Sequence, residues 1–237
     1  MFAAFICRAP KPWRAGAAFI AAKPTGVRPK AKTVQLAKTD HPAQASPPLW
    51  QGGWYRFARH LASPNFGARP AGTRPDLVLI HSISLPPGQY GTGQVQHLFT
   101  NQLDWEAHDY FRSIRGLQVS AHFFITRDGQ LWQFVSCDER AWHAGESAYR
   151  GKTNCNDDSV GIELEGLEGH TFEPAQYETL SSLGAALLQA YPIAHVAGHE
   201  HVAPGRKQDP GAGFDWPALR RALGMSAANF PLSTIRD

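Results

Sequence analysis

Between Gly198 and Gly211 the chain reads Gly-His-Glu-His-Val-Ala-Pro-Gly-Arg-Lys-Gln-Asp-Pro-Gly, a segment suited to hydrolytic metal chemistry. His199 and Asp209 offer an imidazole and a carboxylate, and Lys207 places a cation beside them. Pro204 and Pro210, with their flanking glycines, turn the segment back on itself. A hydrolytic zinc ion takes three nitrogen or oxygen ligands and keeps one position open for water. A fixed cation next to it steadies the oxyanion that forms on the substrate carbonyl. The third ligand must come from elsewhere in the chain. His81 is the candidate, because it ends the apolar run Leu77-Val-Leu-Ile80, which has the pattern of a buried strand.

Spacing alone leaves alternatives open. The chain has 11 histidines, and a histidine is more often a surface or hydrogen-bonded residue than a ligand. His195 and His199 stand at i,i+4, as a helical pair would, whereas His199 and His201 could share one face of a strand. No HExxH helix is present, which excludes that metalloprotease motif. A general base has two candidates. In Ser159–Glu165, Val160, Ile162 and Leu164 alternate with Gly161, Glu163 and Glu165. A carboxylate among apolar neighbours is desolvated, which raises its pKa toward the range useful for proton transfer. Both glutamates fall on the same face, and the pattern does not choose between them.

The elements that must hold these groups alternate along the chain. Leu77–Ser82 reads as a strand, followed by a proline–glycine loop over 86–93 and a helix from about Thr92 to Leu103. A short helix over Glu106–Arg115 precedes strands His122–Thr126 and Leu131–Val135, and Asp128-Gly129 between them is a two-residue hairpin signal. Ser159–Glu165 is a strand, and Pro174–Tyr191 a helix with Pro174 at its first position. A strand over Ile193–Gly198 ends at His199, and a last helix spans Trp216–Leu223. This order predicts an α/β or α+β single domain with a central mixed β-sheet flanked by helices.

Composition bounds the function. At 237 residues, 43% hydrophobic and 18% charged, the chain has the composition of an ordinary globular protein. The net charge of +3 conceals an asymmetry: residues 1–47 hold eight Lys/Arg against Asp40 alone, so the remainder is net negative. Such a body is no nucleic-acid binder by charge. Residues 1–47, rich in Ala, Pro and Lys/Arg, read as a disordered basic extension. The short Gly16–Ala22 run, followed by Lys23-Pro24, makes a poor signal peptide. Cys7 lacks the long apolar run of a lipobox, and anchoring on an anionic surface is an alternative use of the charge. Three cysteines without CxxC spacing argue against a disulfide framework and for a reducing compartment. No stretch approaches the ~20 apolar residues of a membrane helix.

Several pieces after residue 50 together resemble the zinc amidase family that includes T7-type lysozyme and the peptidoglycan recognition proteins. They are Gly53-Trp-Tyr, Ser63-Pro-Asn, Ile80-His-Ser-Ile-Ser-Leu-Pro-Pro-Gly88, Val119-Ser-Ala-His122, Arg140-Ala-Trp-His-Ala-Gly145, Asn154-Cys-Asn-Asp157, Ser159–Gly166 and Gly198–Gly211. The Leu-Pro-Pro-Gly and Ala-Trp-His-Ala-Gly pieces resemble its cytoplasmic branch, which acts on 1,6-anhydromuramoyl peptides. The resemblance implies a peptidoglycan-recognition-protein-like mixed sheet over residues 48–237, with a zinc cleft along one edge. It implies Zn2+ on His81, His199 and Asp209, Glu163 as general base and Lys207 on the oxyanion. Arg206, Ser82, Trp142, His143 and Gln118 are then substrate-contact candidates, with Trp142 equally readable as core. Ser82 and Gln118 stand where relatives commonly carry other residues, as does His201, which leaves fine specificity open. The implied reaction is hydrolysis of the bond between a muramoyl lactyl group and L-alanine, by a cytoplasmic monomer whose partner is a small muropeptide. An exported amidase acting on intact peptidoglycan, or a muropeptide binder without catalysis, are the alternatives.

Overall fold

The two seven-residue apolar runs become adjacent interior strands of the sheet. In the computed structural model, which describes residues 47–234, the main sheet has six strands. They are β1 (Arg59–His60), β2 (Leu77–Ile83), β3 (Phe123–Ile125), β4 (Leu131–Gln133), β5 (Ser159–Glu165) and β6 (His195–Gly198). Their order across the sheet is β6-β2-β5-β3-β4-β1. Strands β6, β2, β5 and β3 run parallel, the β3–β4 hairpin is antiparallel, and β1 joins β4 in parallel. This is the expected mixed sheet. The helices are α1 (Gln94–Phe99), α2 (Asp109–Ser113), α3 (Pro174–Ala190), α4 (His199–Val202) and α5 (Trp216–Leu223). The expectation of a disordered basic extension over residues 1–47 falls, apart from Pro47, on residues outside those described.

The period of two in each strand sorts side chains between layers. Val78, Ile80, Val160, Ile162 and Leu164 point to one face and pack on Leu180, Leu183 and Leu187 of α3 and Leu219 of α5. Truncating one of these to alanine costs about 2–5 kcal/mol. On the opposite face Phe124 and Phe134 pack on Val95, Leu98, Phe99 and Phe111 of α1 and α2. Leu77 and Leu79 form a third cluster with Ala144, Cys155, Ala197 and Val202. His81 continues the parity of Leu77 and Leu79, so the strand itself delivers it to the side away from α3.

Helix α3 starts where its capping groups are. Gln176 Oε1 accepts from the Glu173 backbone N–H at 3.0 Å, and Pro174 occupies the first turn. The buried Gln176 also donates through Nε2 to the carbonyls of Ile125 and Glu165, each at 3.1 Å. One side chain thus ties the start of α3 to the ends of β3 and β5.

Strands β3, β4 and β6 are shorter than expected by one or two residues at an end, and three further elements differ from the sequence expectation. Helix α1 is shorter at both ends, because Gly93 (φ 75°) precedes it and Asn101 (φ 58°) follows it in left-handed conformations that a helix cannot continue through. Helix α2 is likewise trimmed to Asp109–Ser113. The β3–β4 hairpin is not closed by two residues. Thr126 N donates to Gln130 O at 3.0 Å, and Gly129 N to Thr126 O at 2.8 Å, so the loop is Arg127-Asp128-Gly129 with a left-handed Gly129. A Cβ on Gly129 would lie 2.9 Å from the Ala175 carbonyl oxygen, which leaves room only for glycine.

Candidate metal centre and cleft

Two strand ends and one loop meet above the sheet. His81 stands near the end of β2, and His199 opens the short helix α4 directly after β6, the strand beside β2. Asp209 returns on the loop after α4, held there by the Glu200 backbone N–H, which donates to the Asp209 carbonyl at 2.9 Å. The His81 Nδ1 and His199 Nδ1 atoms lie 3.0 Å apart, and Asp209 Oδ2 lies 3.2 Å from each. All three residues are buried.

The donor set fits a metal ion. Ligand atoms ~2.1 Å from a tetrahedral zinc are separated from one another by about 3.4 Å. The observed separations of 3.0 to 3.2 Å are close to that spacing. His199 Nε2 faces the Ala144 carbonyl at 3.0 Å and must donate to it, which leaves Nδ1 with a lone pair directed into the cluster. A lone pair and a carboxylate oxygen in contact inside a buried site call for a cation between them. Burial, with the neighbouring His199 and Lys207 charges, pushes the His81 imidazole down to about 4 against the pull of Asp209, so it is neutral and free to ligate. Burial alone would raise the Asp209 carboxyl, but the His199 and His81 imidazoles packed against it outweigh that and hold it well below the usual range.

The competing histidines sit elsewhere. His201 lies on α4, where its Nδ1 accepts from the Gly198 backbone N–H at 2.9 Å and its ring packs against Trp216. His195 stands in β6 and not in a helix with His199, so the i,i+4 pairing does not form. His122 is a buried structural residue. Its Nδ1 accepts from the Gly161 N–H at 3.0 Å, and burial with the Arg69 charge pushes it down to about 3.

The two glutamates of β5 part company. Glu163 is buried in the cleft, and its Oε2 has no protein partner. Burial and the nearby Asp209 raise its pKa well above the ordinary carboxyl range, with Lys207 acting the other way. Glu165 is tied down: its carboxylate accepts from the backbone N–H groups of Gly91, at 2.5 Å, and Arg127, at 3.0 Å. It fastens the loop before α1 to the hairpin turn.

The cleft has a volume of about 480 Å³. Ser82, Trp142, His143, Arg206 and Lys207 all line it, beside Glu163, His199 and Asp209. The buried Ser82 hydroxyl oxygen has no protein partner. Arg206 is already engaged, since its Nη2 donates to the carbonyls of Ala144, at 2.6 Å, and Glu146, at 2.5 Å. Gln118 is exposed, and the cleft is lined by its neighbours Leu117 and Val119 instead. Sequence reasoning missed the supports behind the site. Asn156 Oδ1 accepts from the backbone N–H groups of His143, at 3.0 Å, and Ala144, at 2.8 Å, which fixes the wall carrying both. Arg69 donates to the carbonyls of Cys137, Asn156, Asp157 and Ser159. Asn156 lay inside a quoted motif but had no pattern to mark it, and Arg69 had none at all.

This sheet, with its cluster and cleft, is that of a peptidoglycan amidase, and the family described as N-acetylmuramoyl-L-alanine amidase matches residues 71–212. The chain belongs to that family. It is 45% identical over 177 residues to the 1,6-anhydro-N-acetylmuramyl-L-alanine amidase AmpD of Salmonella typhimurium (strain SL1344), covering 74% of this chain and 95% of that protein. The AmpD of Citrobacter freundii is 46% identical over 181 residues, covering 76% and 97% respectively. A crystal structure of a selenomethionine AmpD derivative superposes with a TM-score of 0.72 at 46% identity, over 74% of this chain and 99% of that one.

Proposed function

We propose that this protein hydrolyses the amide bond between the lactyl group of 1,6-anhydro-N-acetylmuramic acid and L-alanine in muropeptides, as a step of cell-wall recycling. His81, His199 and Asp209 would hold a zinc ion in this reading. The observation that carries it is the buried triad beside an unpartnered carboxylate, in a chain about 45% identical to amidases named for this reaction.

When bound, zinc supplies a Lewis acid for the lactyl carbonyl and brings the pKa of water toward ~7. The protein groups do the rest. Glu163, desolvated and with Oε2 free of other partners, takes the proton from the attacking water and delivers it to the departing alanine amine. Lys207, exposed on the loop that carries Asp209, reaches over the cleft and stabilises the oxyanion. Trp142 forms one wall, with the apolar Leu117 and Val119 beside it, against which a sugar ring can lie. The Ser82 hydroxyl oxygen, beside the cleft but buried, would meet the substrate only after the wall shifts. Arg206 can hold the wall carbonyls through Nη2 and turn its other N–H groups to a substrate carboxylate.

We place the amidase domain at residues 48–237, acting as a cytoplasmic monomer on a small soluble substrate and binding neither nucleic acid nor membrane. Among the described residues no helix is long and apolar enough to cross a membrane. The test is to incubate the purified protein with anhydro- and reducing-end muropeptides, with intact sacculi alongside. Release of stem peptides beginning with L-alanine from the anhydro form, with little solubilisation of sacculi, is expected. Digestion of sacculi without turnover of the soluble anhydro form would overturn the recycling assignment.

A further inference from the structure

His143 lines the cleft, yet both its ring nitrogens are turned to the protein. Its Nδ1 lies 3.0 Å from His81 Nε2, and its Nε2 lies 3.3 Å from Ser159 Oγ. Ser159 has one hydroxyl proton, and it is committed to the Cys155 carbonyl, the closer of its two contacts. The direction of every other bond follows from that. Ser159 Oγ can only accept from His143, so His143 carries its proton on Nε2 and presents a lone pair at Nδ1. That lone pair must be met by an N–H, so His81 carries its proton on Nε2. Its Nδ1 is then bare, facing His199 Nδ1 and Asp209 Oδ2.

A second observation shows that the chain is built to hold this ring. Gly161 lies in the middle of β5, where a glycine weakens a strand and no positive φ asks for one. A Cβ at that position would stand 2.5 Å from the His143 Cγ and 2.6 Å from its Nδ1. The missing side chain is the space the imidazole occupies. Asn156 holds the backbone of the same residue from the other side.

We propose that His143 is a positioning residue: backed by Ser159 and seated on Gly161, it accepts a hydrogen bond from the Nε2–H of His81 and fixes that imidazole with its Nδ1 lone pair toward the cluster. The inference rests on the reading of His81, His199 and Asp209 as metal ligands, and it gives His81 the outer partner that the Ala144 carbonyl gives His199. Outer partners of this kind change metal affinity by about 10–100-fold when removed.

Nitrogen-15 imidazole spectra of the metal-free protein report the tautomer directly, and chelator competition reports zinc affinity. In the wild type His81 should be the Nε2–H form. In His143→Phe and in Gly161→Ala, His81 should shift toward the Nδ1–H form, and zinc should bind about 10–100-fold more weakly, with the backbone amide spectrum unchanged. His143→Asn, whose Oδ1 falls where Nδ1 stood, should restore the Nε2–H form and most of the affinity. A His81 found as Nδ1–H in the folded wild type, or wild-type zinc affinity in folded His143→Phe, would overturn the relay. A wild type that binds no zinc would instead refute the metal reading, and the tautomer measurement would still decide the relay.

Discussion

Glu163 and His81 are register partners in the parallel pairing of β5 with β2. Partners in adjacent strands put their side chains on one face about 4.8 Å apart. The seven-residue pairing that starts at Ser159 and Leu77 therefore sets the distance between the buried carboxylate and the strand-end imidazole. A slip by one residue would turn Glu163 into the α3 core, and a slip by two would offer Glu165 in its place.

That register separates the two glutamates in function. Glu163→Gln should keep fold and bound zinc while turnover falls about 10²–10⁴-fold, the loss expected for a general base. Glu165→Gln should lose much less turnover, and its effect should appear as loosening of the Gly91 and Arg127 loops in hydrogen exchange. Single-turnover assays with parallel zinc determination distinguish the two, and reversed effects would move the base to Glu165.

The metal assignment makes a quantitative prediction. The purified protein should hold about one zinc per chain, in keeping with a single three-ligand site. His81→Ala, His199→Ala and Asp209→Ala should each lower occupancy and activity, while His201→Ala should affect stability first, because its Nδ1 is the acceptor for Gly198. Full zinc content and unchanged turnover in Asp209→Ala would sink the triad.

The basic extension should be dispensable. Among the described residues the contacts of the body begin with the Pro47 and Leu49 carbonyls, which accept from Arg56, and with Trp50 against Tyr55 and Tyr191, and the family match begins at residue 71. A chain starting at Pro48 should retain its melting temperature, zinc and activity on soluble muropeptides. Lost activity in a variant that still melts cooperatively would give residues 1–47 a part in the site.

Acid should destabilise the metal-free protein earlier than carboxylate titration alone would. His122 is pushed down to about 3 and His201 to about 4 by burial, against an unfolded value near 6.5. The unfolded chain then binds protons that the folded chain refuses. Their contribution is complete above about pH 6.5 and is lost as pH falls through the interval toward 4 and 3. Urea unfolding of chelated protein between pH 7.5 and 5 should show this decline. It should be shallower in His122→Asn, whose Oδ1 can still accept from Gly161. Equal slopes in the two proteins would contradict the assignment to His122.

How far the sequence revealed the molecule depends on whether a residue works through pattern or through contact. Strand β5 and helix α5 have the expected bounds because alternation and a 3.6-residue period are local properties. The shortened α1 depends on the left-handed Asn101, and the three-residue hairpin loop on the carbonyl of Ala175, a neighbour 46 positions away in the chain. At the site, the resemblance pointed to His81, His199 and Asp209, and the structure brings them together. It could not show that Arg206 is bonded to wall carbonyls or that Gln118 faces outward, because both depend on how distant loops lie. Gly161 carried a readable signal, a glycine in mid-strand, but only the ring of His143 explains it.

Arg69 invites comparison with the triad. Its guanidinium is largely buried, faces no carboxylate in its bonds, and is held by four carbonyl oxygens and the edge of His122. That is how a protein coordinates a potassium ion, except that this monovalent charge is covalently tethered and cannot wash out. On the metal reading proposed above, the molecule would use two kinds of cation, one encoded in the chain and one drawn from the medium. Stripping the second with a chelator should silence the enzyme, but the scaffold keeps its inner counter-charge and should wait intact for reloading.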